Sequence, residues 1–280
     1  MNDIWLTLLK ISLVIFMAGN LLEMGLKLNP QDALKGLKDI RFISYTLLWG
    51  FVVGPALAYA VTLVIPLAEP YAIGMILMGM TPCAPFLPML VNRAKGDLGY
   101  TAAFMLLTAV FTIIFMPFAV PVMVKGLTIT AWAIAKPLII VILIPLVIGM
   151  LILRLSPNAA GKVQPVVKKI TLVFTVFTLF FCFVVYGKGL LGVPGELAVL
   201  AQLIFFIILT SMSFWFSYGL QRNQKVVISI GLATRNIGAA FAPLMSASTI
   251  DQRATVMVFL GFIIMVLVAM VAARLFGRNA

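Results

Sequence analysis

Histidine is absent from this chain, and acidic residues are scarce, with 8 Asp and Glu among 280 residues. The lack of histidine removes the commonest general base and metal ligand, so an enzyme is not expected. The two cysteines, Cys83 and Cys182, lie in separate apolar segments and provide neither a disulfide framework nor the spacing of a metal site. Charged residues make up only 10% of the chain, which excludes a soluble globular domain, because such domains are about a quarter charged.

Long apolar runs dominate the sequence instead. Hydrophobic residues make up 63% of the chain, and the mean hydropathy is +1.18. Because a helix needs about 20 apolar residues to cross a bilayer, the sequence predicts nine transmembrane segments, near 4–26, 42–65, 71–92, 98–124, 133–153, 170–187, 197–219, 226–250 and 254–273. The first segment should be a retained span, because no basic residue precedes it as in a cleaved signal peptide. The expected fold is an all-α polytopic membrane protein with one transmembrane domain over residues 1–280.

The basic residues are distributed unevenly between the predicted loops. Lys and Arg outnumber Asp and Glu by 20 to 8, a balance compatible with nucleic-acid binding or with membrane topology. Most of them follow odd-numbered segments, as Lys35, Lys38 and Arg41 do after the first. The positive-inside rule then places the N-terminus outside and the C-terminus in the cytoplasm. The expected location is a bacterial inner membrane. We therefore expect a lipid bilayer and no nucleic acid as partner; the sequence does not define the oligomeric state.

Arg235 is the one charged residue in the apolar stretch from Val226 to Ile250. A guanidinium stays protonated in proteins, and its cost at the bilayer centre is put at about 2.5 to above 10 kcal/mol. Such a residue is expected to face a polar cavity or a partner. Its neighbours Thr234 and Asn236 add polar groups at the same depth, so this stretch is a predicted functional site.

The third segment carries Pro82, Pro85 and Pro88 at every third position. Each proline removes a backbone donor and clashes with the preceding turn, so this helix should be broken. Non-helical backbone is tolerated at membrane depth only where protein buries it or where it lines a water-filled cavity. Two interrupted helices, here the third and eighth segments, indicate the central site of a secondary transporter. A kinked packing helix is the alternative for the third segment.

The predicted substrate- or ion-binding residues come from these two breaks and from the fourth segment. They are Thr81, Cys83, Pro85, Pro88, Thr101, Thr234, Arg235 and Asn236. Thr108 and Thr112 are further candidates for the lining, but their hydroxyls can instead bond back to their own helix. Gly50 and Gly54 have the spacing of a helix-packing face.

Several motifs resemble the bile acid:sodium symporter family. Met24-Gly-Leu-Lys-Leu-Asn-Pro-Gln-Asp32 is similar to its first cytoplasmic loop. Gly79-Met-Thr-Pro82, followed by Ala94-Lys-Gly-Asp97, is similar to its first crossover helix, and Asn236-Ile-Gly238 resembles part of the second. The resemblance implies a panel of scaffold helices and a core domain, built from inverted repeats. In the core two discontinuous helices cross at the midplane, and organic anions are carried by alternating access.

The sodium ligands of that family are mostly missing here. Where the family has a Thr-Ala-Ser-Asn run this chain has Pro85-Phe-Leu-Pro88, and where it has Glu-x-Gly-x-Gln-Asn this chain has Gly231-Leu-Ala-Thr-Arg235-Asn236. Gly50 replaces a glutamine of the second segment. Only Asn236, and Thr101 in place of a serine, keep a side-chain oxygen, whereas hard cations need several.

We therefore expect a divergent member of that family in which Arg235 supplies, as a fixed charge, what bound sodium supplies in relatives. Its expected substrate is a small organic anion, with no cofactor, no metal and no sodium. Carbonyls freed between Met78 and Pro85 leave open one rebuilt cation site. Glu23, near the cytoplasmic end of the first segment, is a candidate for carrying a coupling proton or for pairing with Arg235; a solvated interface carboxylate explains it as well.

Three other classes of protein are alternatives. The related arsenite carriers place a cysteine where Cys83 stands, which makes metalloid efflux the alternative, although their acidic residue after the second crossover corresponds here to Gly238. An intramembrane enzyme would need a base beside its nucleophile, and Cys83 has no histidine to activate it. A signalling or scaffold protein would need no polar groups at the midplane.

Overall fold

The structure is a computed structural model that describes residues 2–28, 30–124, 130–192, 197–246 and 251–278. These residues are helical and contain no strand, only one isolated bridge. Seven helices are long and apolar enough to cross a membrane: Ile4–Lys27, Ile40–Val64, Leu98–Met123, Ala131–Leu155, Pro157–Gly187, Ala198–Trp215 and Gln252–Arg278. The chain is thus an all-helical, multi-pass membrane protein, as predicted, while the count of nine spans stays a prediction.

Fourteen α-helices and two π-helical turns make up this part of the chain. The first half contains α1 (Asn2–Lys27), α2 (Pro30–Leu37), α3 (Ile40–Leu47), α4 (Gly54–Val64), α5 (Glu69–Gly79), α6 (Leu87–Arg93) and α7 (Leu98–Met123). The second half contains α8 (Ala131–Leu138), α9 (Ile144–Leu155), α10 (Pro157–Gly192), α11 (Ala198–Trp215), α12 (Arg222–Ala233), α13 (Ile237–Ser246) and α14 (Gln252–Arg278). The π-helical turns Leu48–Val53 and Ile139–Leu143 join α3 to α4 and α8 to α9.

The third and eighth predicted segments each consist of two short helices. Residues 80–86 separate α5 from α6, and residues 234–236 separate α12 from α13. Pro82 and Pro85 lie in the first connection, where neither has to continue a helix. Pro88 is the second residue of α6, where its missing donor would have had no helical acceptor.

The sixth segment differs from its predicted bounds. It was expected to begin near residue 170, but α10 begins at Pro157. Proline is well tolerated at the first position of a helix, and the polar residues that follow extend α10 beyond its apolar part. Lys162, Lys168 and Lys169 therefore lie on a helix and not in a loop.

The helices pack in two groups. In the first, α1 packs against α9 and α10; in the second, α5 packs against α4 and α14, and α12 packs against α7, α11 and α14. Contacts of α10 with α14, and of α1 with α13, which itself packs against α14, connect the groups. In the first group, a Cβ at Gly25 would overlap the carbonyl oxygen of Leu146, so glycine allows the close approach of α1 to α9.

Candidate functional site

The two helix breaks lie against each other and form the isolated antiparallel bridge. The Cys83 N–H donates to the Thr234 carbonyl at 2.9 Å, and the Asn236 N–H donates to the Thr81 carbonyl at 2.8 Å. Main-chain groups that lost helical partners thus satisfy one another, which apolar surroundings require. The four residues that make these bonds are all candidates from the sequence.

The side chain of Thr234 further stabilises this contact. The Thr234 hydroxyl accepts from the Ala84 N–H at 3.1 Å and donates to the Gly231 carbonyl at 3.0 Å. Cys83 adopts a left-handed conformation with φ +78°, which is uncommon for a residue other than glycine. Such strain persists only where the surroundings enforce it and is concentrated at functional sites.

The guanidinium of Arg235 is fully buried at this bridge, with 0% of the residue exposed. Its Nε, Nη1 and Nη2 have no hydrogen-bond acceptor within the described ranges. Its Cζ lies 5.0 Å from the centre of the Phe205 ring on α11, while its main-chain N–H donates to the Met265 sulfur at 3.1 Å. The buried positive charge therefore lies over an aromatic ring, and no group among the described residues accepts a hydrogen bond from it.

Helix C-terminal ends converge on the same place. The helices α5 and α12 end at Gly79 and Ala233, directly before the two breaks. A Cβ added at Gly54 would lie 3.1 Å from the Gly79 carbonyl oxygen and 3.7 Å from Nη2 of Arg235. Because helix C-termini carry partial negative charge, they stabilise a cation between them. Gly54, predicted as a packing glycine, thus borders the guanidinium.

Two cavities lead to this region. The wider one, of about 790 Å³, lies between α1, α2, α6, α7 and α10, and its polar walls include Glu23, Lys27, Lys35, Thr101 and Lys168. The deeper one, of about 210 Å³, is bordered by Phe16, Met17, Asn20, Leu21, Ala84, Pro85, Phe86, Thr175, Arg235, Asn236, Ile237, Gly238, Phe262 and Met265. Both are bordered by Asn20, Pro85 and Phe86, so they are neighbours that together reach from the lysine-rich end of the helices to the breaks.

The path narrows beyond the deeper cavity. The next space along α10 measures about 20 Å³ and is enclosed by apolar and aromatic residues such as Phe16, Phe241 and Phe259, together with Thr178 and Cys182. The route is therefore open towards Lys27 and Lys168 and constricted by phenylalanine side chains on the other side.

The structure brings most of the predicted site residues together, in different surroundings. Arg235 and Asn236 border the deeper cavity, Pro85 borders both, and Pro88 and Thr101 border the wider one. Cys83 borders a space of about 10 Å³. Thr81 and Thr234 are fully buried and serve the contact between the breaks.

Glu23 lies apart from Arg235 in this conformation. Its Oε1 accepts from Lys27 Nζ at 2.6 Å and from Gln164 Nε2 at 3.1 Å. These two contacts take the place of the pairing with Arg235 that was one expectation from the sequence. The carboxylate nevertheless borders the wider cavity.

Comparison with known proteins gives the family of this chain. A family model described as the Sodium Bile acid symporter family matches residues 14–192. The chain belongs to the sodium bile acid symporter family. A probable sodium/metabolite cotransporter, BASS3, from chloroplasts of Arabidopsis thaliana is 19% identical over 266 residues, which cover 94% of this chain and 62% of that protein. The chain thus spans 62% of the length of the curated relative that it matches. This membership supports a transport protein and not an enzyme.

The two side-chain oxygens that the family resemblance predicts as remaining sodium ligands both take part in intramolecular hydrogen bonds. Asn236 Oδ1 accepts from the Ala239 N–H at 3.1 Å, and the Thr101 hydroxyl donates to the Asp97 carbonyl at 2.7 Å. Thr108 likewise donates to the Phe104 carbonyl at 2.8 Å, as its alternative interpretation predicted. A cation at Asn236 Oδ1 would compete with the Ala239 N–H, whereas Thr101 spends only its hydrogen in its bond and keeps the lone pairs of its oxygen.

Sequence reasoning missed three groups that border the site. Phe205 lies under the guanidinium, and Asn20 and Thr175 border the deeper cavity. One phenylalanine among 21, or one threonine on a long apolar helix, carries no signal of its own. Only the packing of α1, α10 and α11 around the breaks singles these residues out.

Proposed function

We propose that this protein is a secondary active transporter that moves small organic anions across a bacterial inner membrane by alternating access and without sodium. In this proposal the seven long helices are joined by two discontinuous ones, α5–α6 and α12–α13, which cross at the midplane to give nine spans. The helices α1, α8, α9 and α10 form a panel, the others form the core, and the two halves are inverted repeats. The N-terminus is outside and the C-terminus is cytoplasmic.

The observation that carries this proposal is the buried, unpaired guanidinium of Arg235 at the ends of α5 and α12. In transporters with broken helices, unwound carbonyls and half-helix C-terminal ends are where a coupling cation is bound. A guanidinium that already lies there opposes a second cation, because two unit charges 4 Å apart repel by about 4 kcal/mol at an effective dielectric constant of 20.

The deeper cavity supports an anionic substrate. It is bordered by Ile237 and Gly238, the first residues of α13, whose N–H groups have no recorded acceptor among the described residues. Asn236 is 8% exposed, and its amide nitrogen also lacks a recorded acceptor there. Free N–H groups at a helix N-terminus attract anions, both by hydrogen bonding and through the helix dipole.

The shape of the path supports alternating access. The cavities open at the end that carries Lys27, Lys35 and Lys168, which the positive-inside rule assigns to the cytoplasm. The phenylalanine constriction near Phe241 and Phe259 then closes the outer side. This conformation would be the inward-facing one, and transport would require the core to move against the panel so that the constriction opens.

The first test is thermal unfolding of the purified protein in sodium chloride and in potassium chloride at equal ionic strength. A ligand at 100 times its Kd stabilises the native state by about 2.7 kcal/mol, so a working sodium site would be visible. We expect equal unfolding temperatures in the two salts, and uptake of organic anions into sealed vesicles that does not depend on sodium. A sodium-specific stabilisation, or Arg235→Gln protein that transports anions at the normal rate, would contradict the proposal.

Metalloid efflux through Cys83 is the alternative function. It has less support, because the thiol belongs to a residue that is 7% exposed, borders a space of only about 10 Å³ and contacts the Ala84 carbonyl. Accumulation of arsenite in inverted vesicles that contain the protein, abolished in Cys83→Ser, would favour this alternative over organic anions.

A further inference from the structure

The walls of the deeper cavity differ in hydrogen-bonding character. On the side of the breaks, the Ile237 and Gly238 N–H groups and the amide nitrogen of Asn236 are donors without recorded acceptors within the described residues. Most of the remaining wall is apolar, with Phe16, Met17, Leu21, Phe86, Phe262 and Met265. The donors therefore define one end of a site for a partly apolar ligand.

Thr175 on α10 supplies an acceptor on another wall of the same cavity. Its hydroxyl donates to the Thr171 carbonyl at 2.7 Å. A threonine hydroxyl has a single hydrogen, so only the lone pairs of Thr175 Oγ1 remain for a ligand. This side chain can accept a hydrogen bond from a substrate but cannot donate one while the bond to Thr171 persists.

Asn20 on α1 adds a second acceptor. Its amide nitrogen donates to the Phe16 carbonyl at 2.8 Å, and its Oδ1 has no recorded donor within the described chain. Asn20 borders both cavities, so its oxygen lies where the wide path meets the deep one. A ligand that fills the deeper cavity thus meets donors beside α13 and acceptors beside α1 and α10.

We infer that the substrates of this site are small hydroxycarboxylates, an inference that rests on the proposed transport of organic anions. The carboxylate binds the N–H groups of Ile237 and Gly238 and the amide of Asn236. The hydroxyl group of the substrate donates to Thr175 Oγ1, and Asn20 Oδ1 is a second acceptor at the mouth of the site. A keto acid of the same skeleton offers no donor to these acceptors, and an unsubstituted acid leaves them without a partner. Thr175 is a specificity-determining residue in this site.

The experiment compares three acids with one carbon skeleton, 2-hydroxybutanoate, 2-oxobutanoate and butanoate, by their Kd for the purified protein and by their competition for uptake into sealed vesicles. Because a neutral hydrogen bond is worth about 0.5–1.5 kcal/mol, we expect the hydroxy acid to bind roughly two- to tenfold more tightly than either analogue. Thr175→Val should reduce this preference and bring the Kd of the hydroxy acid towards that of butanoate. Thr178→Val is the matched control, because Thr178 borders only the constriction and not the deeper cavity, and it should keep the preference.

The outcomes distinguish the inference about hydroxycarboxylates from the proposed transport of organic anions. If all three acids bind and compete equally, or if 2-aminobutanoate binds more tightly than the hydroxy acid, the inference about hydroxycarboxylates is overturned while anion transport stands. If Thr175→Val keeps the preference, Thr175 is not its source and the assignment fails. If no carboxylate in a wider panel binds or is transported by the unmodified protein, the proposed function itself fails.

Discussion

Replacing Arg235 with Met should stabilise the protein and abolish its transport. A buried ion costs several kcal/mol even after relaxation. The ring of Phe205, 5.0 Å away, returns about 2 kcal/mol when desolvated, and the ends of α5 and α12 return up to about 2 kcal/mol. The three nitrogen atoms without acceptors add a further penalty, since an unsatisfied buried donor costs about 1–3 kcal/mol. Met is unbranched and adaptable, so it can fill the same space without these costs.

We expect a gain of about 1–4 kcal/mol, the range observed when buried ionic groups are replaced by well-packed hydrophobic residues. At about 2–4 °C per kcal/mol, thermal unfolding in detergent should show a rise of several degrees. The matched control is Arg222→Met. Arg222 Nη2 donates to the Phe276 carbonyl at 2.6 Å, so the same substitution removes a charge-assisted hydrogen bond there and should lower stability.

The sign of the change decides the argument. If Arg235→Met destabilised the protein as Arg222→Met does, the guanidinium would be a structural anchor with partners that satisfy it. If Arg235→Met were stabilising and still transported organic anions, the charge would be uncompensated but would have no function. Only increased stability together with lost transport agrees with a charge retained for transport at a cost to the fold.

Three further outcomes follow from individual contacts. Cys83→Gly should stabilise the protein by roughly 1 kcal/mol in thermal unfolding, because glycine tolerates φ +78° and relieves strain worth about 1–3 kcal/mol. Thr234→Val leaves the Ala84 N–H without its acceptor and should cost about 1–3 kcal/mol in the same assay. Hydrogen bonds from Arg253 lower the pKa of Asp251. This contact contributes at most about 1 kcal/mol of stability, which is fully present above the unfolded pKa of about 3.9. We expect this stability to be lost as the pH falls through the lowered pKa. Asp251→Asn should remove that pH dependence from unfolding curves.

Both helix breaks could be predicted from the sequence, but their contact could not. Pro82 and Pro85 break the helix wherever it lies, because the missing donor and the steric clash are local effects. The bonds that join Cys83 to Thr234 and Asn236 to Thr81 connect residues far apart in the sequence. No local propensity or hydrophobic period encodes such a pairing, which depends on how α5, α12 and α14 pack.

Part of the candidate site could also be predicted from the sequence, because the cost of a buried charge is a local property, whereas the direction of a side chain is not. The cost of a guanidinium in an apolar span singled out Arg235, and the structure holds this residue beside a cavity. The side chain itself extends to Phe205 and Gly54, while Asn236 and the start of α13 supply the donors near the cavity. Which way a side chain extends from an irregular segment depends on local backbone angles, and composition does not determine them.

A fixed charge affects the transport cycle differently from a bound ion, because it remains in the protein when the substrate has left. Under the proposal, the positive charge of Arg235 stays where the two discontinuous helices cross in every step, whereas a bound sodium ion can dissociate from that place. The loaded core carries Arg235 and an anionic substrate whose charges offset each other, but the empty core carries an uncompensated charge. Because an unpaired charge in low dielectric is more costly than a paired one, the empty core should move less readily than the loaded one. The buried guanidinium therefore favours exchange of one anion for another over net uptake.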